Sequence, residues 1–193
     1  MPAIRKAPSP LIHLVLLAGL PVGFAADLPG GAEPAAAPVY EPITLSTWYE
    51  VDPAWPKRPE HCTWDHVPGV AVDGKDQVWI FTRGTPPVQV YDAEGNFVRA
   101  WGTDLVGDKN GKKTSHQIRF DREGMIWLAD TGKHIVMRVT PEGKLLKTLG
   151  TPNEPGDDER HFDKPTDVAF RSDGHIFVGD IMGCRVQKFI RRN

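Results

Sequence analysis

Short alternating runs of apolar residues, separated by turn-forming residues, fill the chain from residue 68 onward. Runs such as VAVD, VWIF, VQVYD and FVRAW are rich in β-branched and aromatic residues, which is typical of strands rather than helices. Between them lie DGKDQ, DREG and RSDG, which have the composition of tight turns. The pattern therefore predicts an all-β protein built from hairpins.

The same pattern occurs three times. It appears as PGVAVDGKDQVWIFTRG, then SHQIRFDREGMIWLADTG, then PTDVAFRSDGHIFVGDIMG, with equivalent positions 48 and 50 residues apart. A period of this length is a sign of a repeat architecture, and four strands per period fit a propeller blade. The aromatic residues expected to pack between neighbouring repeats are Trp79, Trp127 and Phe177.

The fold class predicted from this repeat is an all-β β-propeller with about three four-stranded blades. The blades span approximately residues 60–103, 104–151 and 152–193, within a propeller region of residues 43–193. The third repeat has only three strands, and the early segment TLSTWYEV is a candidate for its fourth.

The N-terminus differs in composition from the repeats. Residues 1–26 combine Arg5 and Lys6 with the apolar run LIHLVLLAGLPVGFA, which predicts a signal peptide and an exported protein, periplasmic or secreted. The apolar run is shorter than the roughly 20 residues that span a bilayer, and Pro21 interrupts it, so no membrane association is expected after cleavage. Residues 27–42, rich in Pro and Ala, are expected to form a linker.

Charge and cysteine content narrow the range of partners. The formal net charge is −2 with acidic and basic residues interspersed, so no nucleic-acid partner is expected. Two cysteines, Cys62 and Cys184, do not by themselves specify a bridge, and two unpaired thiols are expected. The polar segment HCTWDH around Cys62 reads as a loop, and Asp130 and Asp180, each following a strand, are expected to cap turns.

The repeats resemble NHL-repeat proteins, in which PxGVAVDxxGxIYVAD followed by a basic residue and QxF is the recurring theme. Here PTDVAFRSDGHIFVGD and RVQKF match that theme. GDDERHFDKPTDVAF, YEVDPAWPKRP and VPGVAVDGKDQVWIFTRG further resemble the peptidyl-α-hydroxyglycine α-amidating lyase branch and its bacterial relatives. The resemblance covers Tyr49 to Phe189.

The resemblance implies a six-bladed propeller with zinc and calcium in its central channel, which cleaves a peptidyl-α-hydroxyglycine into a peptide amide and glyoxylate. By the matching motifs, His116 corresponds to a zinc ligand, and Val70 and Ile118 supply backbone carbonyls to calcium. Arg83 corresponds to the arginine on the substrate side. His116 and Arg83 are not shared by the other repeats, where Pro68 or Thr166 and Thr131 or Ile181 stand instead.

Two departures from the family bear on activity. Met182 lies near the position of the family's catalytic tyrosine, and the other two zinc ligands fall in blades that this sequence does not contain. Both metal sites are therefore expected to be incomplete here, and the chain to be an incomplete or degenerate lyase relative. The alternative is a non-catalytic NHL module that binds a protein or peptide. Self-association that closes the ring is a further expectation.

Overall fold

The computed structural model describes residues 49–192, and the signal peptide and linker predicted for residues 1–26 and 27–42 lie outside them. Residues 49–192 are all-β, and no helix long and apolar enough to cross a membrane occurs among them. The eleven strands are β1 (Gly69–Val72), β2 (Val78–Phe81), β3 (Val88–Tyr91), β4 (Phe97–Trp101), β5 (Ser115–Phe120), β6 (Ile126–Asp130), β7 (Ile135–Val139), β8 (Leu145–Leu149), β9 (Pro165–Phe170), β10 (Ile176–Asp180) and β11 (Arg185–Phe189).

The strands form three antiparallel sheets in chain order. Blade 1 is β1-β2-β3-β4, blade 2 is β5-β6-β7-β8, and blade 3 is β9-β10-β11. Within residues 49–192 blade 3 therefore has three strands, as the sequence of its repeat indicates. The part of TLSTWYEV that the structure describes, residues 49–51, forms no strand, and the rest of that segment lies outside the described residues.

Two apolar layers join the blades. In the first, Trp79 of blade 1 is buried against blade 2, with its ring centroid 5.4 Å from that of Phe120. In the second, Trp127 of blade 2 is buried against blade 3, 5.5 Å from Phe170. Both tryptophans thus fill the inter-blade positions predicted for them. Phe177, the third member of the set, is only half-buried because no described blade covers its face.

The uncovered face of blade 1 is partly shielded by the preceding segment, residues 52–66. The Trp55 ring lies 6.1 Å from Tyr91, and the Trp64 indole donates to Gln89 Oε1 at 2.9 Å. Cys62 is fully buried in this contact, and burial raises the pKa of its thiol. Residues 61–66 form a loop, as predicted, but Cys62 within it is buried rather than exposed. Both cysteines are unpaired, as expected, and Cys184 is exposed.

Candidate functional site

His116 is the extra residue of a β-bulge. Ser115 pairs with Asp130 and Gln117 pairs with Ala129, so His116 has no partner of its own on β6. A bulge turns the side chain of its extra residue away from the regular alternation of the strand. Thr166 occupies the corresponding bulge in blade 3, between Pro165 and Asp167.

The imidazole of His116 reaches across to blade 3. Its Nδ1 lies 2.8 Å from the backbone carbonyl oxygen of Thr166. A carbonyl only accepts, so Nδ1 carries the proton, and in the neutral ring Nε2 is left with a free lone pair. A histidine held this way can bind a metal ion or accept a proton through Nε2.

Arg83 follows β2 and lies beside the start of β5. Its Nε donates to the carbonyl oxygen of Ser115 at 3.2 Å, and its backbone N–H donates to His66 O at 2.8 Å. The structure thus brings Arg83 next to the residue that precedes His116, although the two are far apart in sequence. Within residues 49–192 the two terminal guanidinium nitrogens make no hydrogen bond, so they are available to an anion.

Val70 and Ile118 lie on the first strands of adjacent blades. These strands approach closely, because a Cβ placed on Gly69 would lie 3.2 Å from both His116 O and Ile118 N. The two side chains have opposite environments, with Val70 62% exposed and Ile118 1% exposed. The difference arises because this face of blade 2 packs on blade 1, whereas the same face of blade 1 has no described blade beside it.

The donors assembled in residues 49–192 do not amount to a metal site. A catalytic zinc ion takes three protein ligands and calcium takes six to eight oxygens, whereas His116 supplies one nitrogen, and Val70 and Ile118 offer two carbonyls. No group of three His, Cys, Asp or Glu side chains that could hold a metal occurs in the described part of the chain. Either ion therefore needs ligands from outside these residues.

Met182 lies in the turn after β10 and is 57% exposed. It offers no hydroxyl for proton transfer.

An ion pair between Arg119 and Asp167, 3.1 Å apart, links the first strands of blades 2 and 3. Burial raises the pKa of Asp167, but bonds from Arg119 and from the Val168 amide outweigh it and lower the pKa overall.

Asp130 and Asp180 hold loops in place, as predicted. Asp130 is fully buried and accepts bonds from the Gly107 amide at 2.8 Å and the Lys133 amide at 3.1 Å. Asp180 accepts from the Asp163 amide at 2.8 Å. Sequence reasoning missed Ser115, whose buried hydroxyl donates to Thr82 O at 2.7 Å. A serine at the start of a strand gives no sign in the sequence that it is part of a site.

Comparison with known proteins identifies homologues. No family model matches the chain. It is 41% identical over 76 residues to a probable peptidyl-alpha-hydroxyglycine alpha-amidating lyase of Caenorhabditis elegans, covering 38% of this chain and 22% of that protein. It is 36% identical over 137 residues to mouse peptidyl-glycine alpha-amidating monooxygenase, covering 59% of this chain and 14% of that protein. Human NHL repeat-containing protein 3 is 31% identical over 141 residues, covering 68% of this chain and 39% of that protein.

Among solved structures, a Bacteroides thetaiotaomicron protein of unknown function matches with a TM-score of 0.50 and 14% identity, over 63% of this chain and 35% of that one. The chain thus spans well under half the length of the relatives it matches. Its homologues are amidating lyases and NHL repeat proteins. Together with the three antiparallel sheets, they confirm the predicted resemblance and the β-propeller fold class.

Proposed function

We propose that this lyase-like NHL propeller acts on a peptidyl-α-hydroxyglycine, with Arg83 binding the substrate carboxylate beside His116. The observation that supports the proposal is the bond from Arg83 Nε to Ser115 O, the residue that precedes His116. A planar guanidinium with two free terminal nitrogens suits bidentate binding of a carboxylate.

The reaction is a redistribution of one proton and one bond. The α-hydroxyl of the substrate loses its proton, its oxygen becomes the carbonyl of glyoxylate, and the bond from the α-carbon to nitrogen breaks. The nitrogen takes up a proton and leaves as the peptide amide, so no oxidant or reductant is consumed. Nε2 of His116 has a free lone pair that can either accept this proton or bind zinc, and Arg83 keeps the carboxylate of glyoxylate bound.

Zinc and calcium remain part of the proposal only through the family resemblance. The homologues support a lyase-like propeller, and the donors in residues 49–192 are too few for either ion.

Export also remains a proposal, supported by the signal-peptide pattern of residues 1–26. Cell fractionation that recovers the chain shortened by about that segment supports it, and a full-length cytoplasmic chain contradicts it.

Glyoxylate release from a peptidyl-α-hydroxyglycine tests the activity, using the whole chain with and without added zinc. We expect the unmodified chain to release glyoxylate, and we expect Arg83→Ala and His116→Ala each to abolish this release. His134→Ala is the matched control, because His134 lies in the turn between β6 and β7 and contacts Asp163 at 3.4 Å rather than Arg83. A well-folded sample that releases no glyoxylate, or release insensitive to Arg83, contradicts the proposal.

A non-catalytic binding module is the second candidate. Two observations favour it: Met182 stands in place of a hydroxyl-bearing residue, and His116 is the one zinc-ligand candidate among the described residues. In that case a folded sample releases no glyoxylate but still binds a peptide ending in a carboxylate, and Arg83→Ala weakens the binding. Isothermal titration with such a peptide distinguishes the two candidates.

A further inference from the structure

Ser115 makes two hydrogen bonds to consecutive residues of the neighbouring blade. Its hydroxyl donates to the carbonyl of Thr82 at 2.7 Å, and its own carbonyl accepts from Arg83 Nε at 3.2 Å. Both Ser115 and Thr82 are fully buried. The hydroxyl bond therefore crosses the blade 1–blade 2 junction where water does not compete with it, which is where a hydrogen bond holds geometry most firmly. The bond from the half-buried Arg83 lies beside it.

We propose that Ser115 is a positioning residue that fixes the guanidinium plane of Arg83 for carboxylate binding. The inference rests on the proposed function, in which Arg83 binds the substrate. A bond at Nε orients the planar group and leaves the two terminal nitrogens facing away as a parallel pair of donors. Holding the carbonyl of Thr82 at the same time restrains the backbone from which Arg83 projects.

This arrangement is not part of what every blade shares. In each blade, the residue equivalent to Arg83 donates its backbone N–H to the loop before the first strand: Arg83 to His66, Thr131 to Thr114, and Ile181 to Lys164. Blades 2 and 3 share that bond, and in blade 2 the Thr131 hydroxyl also donates to Thr114 O at 3.0 Å. The two bonds to Ser115 are an addition at the blade 1–blade 2 junction.

The equivalents of Ser115 support the same conclusion. They are Val67 and Pro165, and neither has a hydroxyl. Of the two described junctions, the one with an arginine at the end of the first blade has serine in the second, whereas the one with Thr131 has Pro165. A role limited to stabilising the turn gives no reason for this coincidence, because the turns of blades 2 and 3 form without it.

The test uses the whole chain with glyoxylate as the carboxylate probe and two measurements. The first is the hydrogen-exchange rate of the Arg83 Nε–H by NMR, and the second is glyoxylate affinity by titration. Ser115→Ala removes the hydroxyl bond to Thr82 O and keeps the backbone carbonyl that accepts from Arg83 Nε. Because the backbone that carries Arg83 is then less restrained, we expect exchange to become about tenfold faster and affinity about tenfold weaker, the size of the loss of one buried hydrogen bond. Ser115→Cys, close in size and a weak donor, should move both measurements in the same direction with less risk to folding.

The controls separate this proposal from the one it rests on. Ser172→Ala removes an exposed hydroxyl on the β9–β10 turn and should change neither measurement. If Arg83→Ala leaves glyoxylate affinity unchanged, carboxylate binding by Arg83 is wrong. If Arg83→Ala abolishes binding while both Ser115 variants keep wild-type exchange and affinity, the positioning role alone is overturned.

Discussion

Blades 2 and 3 have nearly the same strand plan but different surroundings. Among residues 49–192, blade 2 packs on a neighbouring blade with both faces, whereas blade 3 packs on one with a single face. Trp127 is consequently 3% exposed, while its equivalent Phe177 is half-buried. The comparison shows that the repeat sequence specifies a blade, and that neighbouring blades decide how much stability each residue contributes.

The two blades also differ in one coupled pair of residues. In blade 2 the Trp127 indole donates to Asp121 Oδ2 at 3.0 Å, and in blade 1 Trp79 donates to Asp73 at 2.9 Å. In blade 3 both members change, to Phe177 and Arg171. A phenyl ring has no N–H to donate, so the loss of the aspartate leaves nothing unsatisfied. Blade 3 has thus lost the donor and the acceptor of this hydrogen bond together.

The largest expected effect comes from truncating the equivalent aromatic residues. Trp127→Ala should lower the free energy of unfolding by about 3–5 kcal/mol, since it opens a cavity between blades 2 and 3. Phe177→Ala should cost about 1 kcal/mol, because its ring is only partly buried in the described structure. Chemical denaturation of both variants measures the difference, and equal losses would mean that Phe177 is covered in solution.

The next effect concerns the two loop-holding aspartates. Asp130→Ala should cost about 2–3 kcal/mol, because it leaves the buried amide of Gly107 without an acceptor. Asp180→Ala should cost about 1 kcal/mol, since its side-chain partner Arg185 keeps bonds to backbone carbonyls, including that of His161 at 2.7 Å. Asp104→Ala, an exposed residue in the same loop as Gly107, is the control. A larger fall in the denaturation midpoint for Asp180→Ala than for Asp130→Ala would contradict this order of effects.

The smallest effect is the contribution of Asp121 to the loss of stability in acid. Burial raises the pKa of Asp121, but bonds from Trp127 and Arg138 outweigh it and bring the pKa below its usual value. A carboxyl with a lowered folded-state pKa stabilises the fold above its unfolded pKa of about 4, and the stabilisation is lost as pH falls through the lowered value.

Asp121→Asn should therefore flatten the fall in stability below about pH 4, with thermal unfolding from pH 7 to pH 2 as the measurement. Glu142→Gln, an exposed residue on the β7–β8 turn of the same blade, is the control. Wild-type and Asp121→Asn curves that stay parallel throughout this range would show that the contact does not titrate with folding.

Much of the fold could be predicted because the signals are local and repeated. Strand alternation, turn residues and a period close to 50 residues give the three sheets, and the aromatic positions of Trp79 and Trp127 follow from the same alignment. The burial of Cys62 could not be predicted, because segment 52–66 has no repeat to compare it with and contacts blade 1 through scattered residues.

The candidate site was predictable in part. The resemblance selected Arg83 and His116, and the structure brings their chain segments together, but their roles stay predictions. The bulges at His116 and Thr166 were not predicted, because one additional residue in a strand leaves the apolar pattern on either side unchanged. Ser115 was missed because its importance lies in two long-range bonds rather than in any motif. Self-association also stays a prediction.

The bulge at the start of β5 has a consequence for how such a protein can change over time. Because His116 pairs with no residue of β6, its identity is separated from the stacking of Ile118 and Phe120 behind it. The residue at this position can thus be substituted while the strands keep their register and the hydrophobic layers their packing. A duplicated blade of this kind offers a ready place for new chemistry at little risk to folding.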